Sequence, residues 1–166
     1  WYQQQEALQK KIVSRMRELG IEPVFPGYAG MVPRNIGEKL GYQIADPGTW
    51  CGFPRPAFLS SEDEHFDSFA AMYYEELEKI YGKAKYYSMD PFHEGGNTEG
   101  VDLAKAGTSI MKAMKKANPE AVWVIQAWQV NPRPAMIDVL NAGDMLVLDL
   151  YSEKRPQWGD SDSMWY

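Results

Sequence analysis

The chain has a single cysteine, Cys51, and only two histidines, His65 and His93, among its 166 residues. One thiol excludes an internal disulfide and leaves the redox compartment open. In its loop setting Cys51 reads as an ordinary thiol. Two histidines are a thin supply for a metal centre, which wants several His, Cys or carboxylate ligands at workable spacing. No stretch approaches the ~18 apolar residues of a membrane span. Positive charge is also scarce: the net charge of −6 argues against non-specific nucleic-acid binding. There is no G-x-G-x-x-G, no P-loop and no G-x-S-x-G, so the usual dinucleotide, nucleotide and nucleophile-elbow signatures are missing. An initiator Met and a signal peptide are missing as well; the chain runs from Trp1 to "SDSMWY". We expect a segment of a longer polypeptide, whose compartment the missing signal leaves open.

What is present is a folded α/β pattern. Hydrophobic residues make up 45% and aromatics 13%, too rich for a disordered chain. Leu8, Ile12, Met16 and Leu19 recur at helical spacing, predicting a helix over 3–19 that Gly20 stops. A strand follows around Glu22–Tyr28, then a short helix in "VPRNIGEKLG". Residues 42–60 hold three of the eleven prolines with Trp50, Phe53 and Phe58. They read as a long, packed loop, the kind that is usually functional. Ser61 and Glu64 have capping-box spacing before a helix striped by Phe66, Phe69, Tyr73, Leu77 and Ile80. "KYYSMD" is a strand, 102–117 a helix, "AVWVIQAW" a strand, 133–141 a short helix and "MLVLDLYSE" a fourth strand. Alternating helices and strands predict a parallel sheet. Two architectures fit: an open doubly wound sheet, or part of a (β/α)8 TIM barrel with about four parallel strands. The missing nucleotide motifs favour the barrel.

Polar residues gather at the strand ends. "YSMDPFHEGG" starts as a buried strand, yet places Asp90, His93 and Glu94 within five residues. Gln126 and Trp128 lie near the end of the next strand, and Asp149 and Tyr151 near the end of the last. A buried carboxylate is costly without a reason, and the C-terminal rim of a parallel barrel is where catalytic groups collect. Asp90, Gln126 and Asp149 could alternatively satisfy loop backbone or pair with Arg and Lys. A carboxylic acid in a groove lined by Trp and Tyr suits a sugar substrate. Glu94, followed by Gly95 and Gly96, is the best candidate for a general acid.

Several blocks then resemble one family in order: "LQKKIVSRMRELGIEPVFPGYAGMVP", "SSEDEHF", "DPFHE", "EAVWVIQAW" and "MLVLDLYSE". Together they look like the central barrel of the α-N-acetylglucosaminidases, family 89 of the glycoside hydrolases. The likeness runs over essentially all of the chain. It implies a retaining hydrolase removing terminal α-linked N-acetylglucosamine from a glycan or glycosaminoglycan, without metal or organic cofactor. By resemblance Glu94 is the acid/base. His93 stands where many relatives carry Asn. Asp90, His93, Gln126, Trp128, Asp149 and Tyr151 would line the substrate pocket, with Tyr28 and the loop bearing Trp50 at its rim. The family's nucleophile is a second Glu beyond a further strand, and no motif here matches it. Glu153 falls one strand too early. Residues 1–166 would therefore be a fragment of the catalytic barrel, with the remaining strands and flanking domains elsewhere. The family implies a secreted, periplasmic or lysosomal setting. Two other functions stay open: a non-catalytic carbohydrate-binding or structural barrel segment, and a barrel hydrolase acting on a different sugar.

Overall fold

The computed structural model describes residues 1–154 except Gln43, Asp46, Pro47, Glu94, Gly95, Asn97, Gln129 and Tyr151. Helix α1 (Tyr2–Glu18) leads into strand β1 (Val24–Pro26). After β2 (Met31–Val32), α2 (Ile36–Leu40), β3 (Ile44–Ala45), β4 (Thr49–Trp50), β5 (Phe53–Pro54) and β6 (Ala57–Leu59) comes the long helix α3 (Phe66–Tyr81). Then β7 (Tyr86–Ser88), α4 (Leu103–Ala117), β8 (Val122–Ala127), α5 (Pro134–Ile137) and β9 (Met145–Asp149) follow.

The main sheet has the order β1-β7-β8-β9, and all its pairings are parallel. A doubly wound sheet reverses its strand order and carries helices on both faces. Here the order never reverses, and among the described residues one face alone packs on helices. Phe25, Tyr87 and Trp123 stand side by side in one row of the register. All three are buried with Val13 of α1, Tyr74 of α3 and Ile110 of α4. Phe25 stacks on Tyr81 and Tyr87 meets Tyr74 edge-on. On the other face Val24, Leu146 and Leu148 remain 49%, 46% and 46% exposed. Sequential parallel strands with helices on one side make a partial (β/α)8 barrel. Among the described residues, no helix is long and apolar enough to cross a membrane.

Three local expectations need correction. The stretch 42–60 is not simply a loop. β6 lies between β2 and β3 in an antiparallel sheet, and β4–β5 is a hairpin. Strands of two or three residues are too short to show a period of two, which is why the sequence reads as loop. Nor does Ser61 open α3. The segment before it is a turn in which Ser60 Oγ accepts from Glu62 N (3.2 Å) and Asp63 Oδ1 accepts from His65 N (2.8 Å). The helix starts at Phe66, with His65 as its cap residue. Finally, Leu8 and Ile12 of α1 and Leu19 just after it face outward at 50%, 43% and 58% exposure, and Val13 makes the core contact instead.

The helices close on one another through small residues. A Cβ at Gly107 of α4 would lie 2.1 Å from the Met136 carbonyl oxygen of α5. Gly107→Ala should lower the stability of the full-length protein by about 1–3 kcal/mol, because the backbone must shift; a urea melt measures it. Asp144 sits beside Lys115 at 2.9 Å, and this hydrogen bond, with a smaller one from Asn141, holds its carboxyl below the usual range. Stability from a lowered carboxylate is full above the unfolded-state value and fades as pH falls through the folded one. Lys115→Met should therefore cost about 1 kcal/mol near neutrality and almost nothing once Asp144 is protonated, in melts run at both acidities.

Candidate active site

The end of β7 is tied to the end of β8 by four hydrogen bonds. Met89 N donates to Val124 O at 3.1 Å. The indole Nε1 of the fully buried Trp123 donates back to Met89 O at 2.8 Å. One step further, Gln126 N donates to Asp90 Oδ1 at 2.9 Å. Nε2 of His93 donates to Gln126 O at 2.8 Å, and lies 3.8 Å from Asp90 Oδ1. A carbonyl only accepts, so the His93 proton sits on Nε2. Nδ1 is buried and meets no hydrogen-bond partner among the described residues.

Between these two side chains the backbone is constrained. Phe92 has φ 65°, a left-handed conformation that a bulky residue rarely adopts. Its ring rests against Phe58 of β6, centroids 6.0 Å apart. Gly96 N donates to His93 O at 3.1 Å. A Cβ on Gly96 would fall 2.5 Å from Phe92 Cα, so only glycine fits there. Gly96 stood out in the sequence only as a small neighbour of Glu94, and Phe92 not at all, because left-handed geometry at Phe leaves no compositional trace.

A cleft of about 810 Å³ opens at this rim, walled by Tyr28, Arg55, Phe58, Asp90, His93 and Glu99 among others. Its lining is mostly apolar, with these few polar groups converging, the pattern of a small-molecule site. The small antiparallel sheet supplies one wall through Phe58, Ile44 and Met31.

The expected site residues divide as follows. Asp90 and His93 line the cleft, and both also satisfy the backbone of Gln126; for Asp90 this is the backbone role kept open above. The Gln126 side chain is exposed on the same face as Asp90. Trp128 is half-buried, and its backbone exchanges two 3.0 Å hydrogen bonds with Asn131. Tyr28 is a wall rather than a rim residue. It is 6% exposed, its N–H donates to Tyr74 Oη at 3.1 Å, and its ring packs on Phe66 and Tyr73. Burial, and secondarily the charge of Asp63, push its hydroxyl well above the usual phenol range. Trp50 does project, 51% exposed on the β4–β5 hairpin beside Phe53. Asp149 is separated from the pair Asp90 and Gln126: it pairs with Ala127, in the row that faces the helices. Glu94 and Tyr151 lie outside the described residues. Among the described residues no three of His, Cys, Asp or Glu come together as a metal site.

Asp90→Ala removes the acceptor of the Gln126 N–H, and because water can reach this exposed pair the loss should be about 0.5–1.5 kcal/mol. Asp90→Asn keeps an acceptor oxygen and should cost less than half of that. Paired denaturant melts of the full-length protein test the difference; equal losses would remove the backbone role.

Comparison with known proteins bears on what this rim does. The family model described as the alpha-N-acetylglucosaminidase (NAGLU) tim-barrel domain matches residues 1–166. A human relative, alpha-N-acetylglucosaminidase, is 30% identical over 172 residues, spanning 94% of this chain and 23% of the relative. A family 89 glycoside hydrolase from Clostridium perfringens, in complex with 2-acetamido-1,2-dideoxynojirmycin, superposes with a TM-score of 0.89 at 40% identity. That match covers 95% of this chain and 19% of the hydrolase. The clostridial protein is also known with two glutamates replaced by glutamine, in complex with its substrate GlcNAc-alpha-1,4-galactose, again at TM-score 0.89 and 40% identity. The chain thus spans under a quarter of the length of each of these relatives.

Proposed function

The chain belongs to the alpha-N-acetylglucosaminidase (NAGLU) tim-barrel family, and we propose that it supplies the acid/base half of a retaining glycoside hydrolase acting on terminal α-linked N-acetylglucosamine. The observation that carries this reading is the likeness, at 40% identity, to a hydrolase known in complex with a GlcNAc-α-galactoside. The polar rim supports it: Asp90 and His93 border a cleft at the C-terminal ends of parallel strands, where barrel enzymes build their sites.

Glu94, one residue past His93, is the general acid. In the first step a glutamate outside this chain attacks the anomeric carbon. Glu94 gives its proton to the glycosidic oxygen, the C–O bond breaks, and a covalent glycosyl-enzyme forms. In the second step Glu94, now a carboxylate, takes a proton from water as the water attacks the same carbon and releases the sugar. Two such carboxyl groups stand about 5–5.5 Å apart in retaining enzymes. The second is absent from these residues, and the outer edges of β1 and β9 have no strand partner among the described residues. The segment alone should therefore be inactive and poorly soluble, and a full-length parent should be active.

Two α-N-acetylglucosaminides test the assignment in that parent, one with an activated aryl leaving group and one with a poor sugar leaving group. Glu94→Ala should lose about 10²–10⁴-fold on the poor substrate. It should still form the glycosyl-enzyme from the activated one, and added azide should restore turnover. Wild-type rates on both substrates would mean that Glu94 is not the acid.

A further inference from the structure

Backbone pairing of β7 with β8 ends at Ser88 and Val124. Two residues further on, both backbone groups of Gln126 are taken by side chains, its N–H by Asp90 and its C=O by His93. The ladder is thus continued by side chains from the very segment that carries Glu94. The described residues on either side of Glu94 are held at three further points: Phe92 at φ 65°, the Phe92 ring on Phe58, and Gly96 against the Phe92 backbone. Strained backbone of this kind persists only where surrounding contacts over-determine it.

The reach of His93 decides which side chains can make this bond. The bond to Gln126 O is made by Nε2, the far ring nitrogen. An asparagine amide nitrogen sits at about the distance of Nδ1 and stops short of that carbonyl. A glutamine amide nitrogen reaches about as far as Nε2.

We propose that His93 is a positioning residue, which holds the general-acid segment against the end of β8 by bonding Gln126 rather than by touching substrate. The proposal rests on the general-acid reading of Glu94. Its consequence is selective. Displacing a general acid by about 1 Å can cost 10²-fold, but only where the leaving group needs its proton.

The test uses the full-length parent and the two substrates above, with His93→Ala, His93→Gln and Glu94→Gln, each checked for folding by its melting temperature. His93→Ala should lose about 100-fold in kcat/KM on the poor leaving group and keep most activity on the activated aryl glycoside. His93→Gln should recover most of the loss. If His93→Ala does not fold, His93→Ser takes its place, with the same expected selectivity. Equal losses on both substrates, a loss confined to KM, or a glutamine variant no better than alanine would each overturn the proposal. Glu94→Gln separates the two levels. If it discriminates between leaving groups and His93→Ala does not, only the role of His93 falls. If Glu94→Gln itself does not discriminate, the acid assignment falls and the positioning role falls with it.

Discussion

The register of β7 on β8 is the constraint from which the site follows. It is locked by Trp123, whose indole fills the helix-facing core while its N–H reaches across to the Met89 carbonyl. A buried indole N–H needs a partner, and a slip of one residue would remove this one and turn every side chain of β7 to the wrong face. With the register held, Tyr87 faces the helices, Ser88 and Asp90 face the other way, and Asp90 meets Gln126. The polar cluster therefore emerges where the sheet ends, at the mouth of the cleft.

The antiparallel insert is coupled to the same point. β6 is buried through Ala57 and Leu59, and turns Phe58 toward the cleft and the Phe92 ring. A left-handed phenylalanine costs of order 1–3 kcal/mol. Aromatic contact on one side and the Gln126 bonds on the other oppose that cost. The wall of the pocket and the segment bearing Glu94 thus share one set of contacts.

Much of this was legible in the sequence. Long helices and the apolar bodies of the strands carry their periods openly, so the parallel α/β order could be read. "DPFHE" announced itself by its charge after an apolar run. The insert was not legible, because its strands are two or three residues long. The outward stripe of α1 misled because periodicity reports a face without naming what covers it. A polar residue near a strand end does not tell which row it shares with its neighbours; for Asp149 the pairing with Ala127 gives the helix-facing row. A backbone role for Asp90 was an open alternative in the sequence; that Asp90 and His93 both meet Gln126 was invisible for a different reason, because it depends on where β7 pairing stops relative to β8, a tertiary fact.

One distance tests the account most directly. In a crystal structure of the full-length protein bound to an N-acetylglucosamine-derived inhibitor, the carboxyl groups of Glu94 and its partner glutamate can be measured across the sugar. The account predicts a separation of about 5–5.5 Å, with Glu94 within hydrogen-bond reach of the glycosidic position. A Glu94 carboxyl directed away from the bound sugar, or no second carboxylate on its opposite face, would contradict it.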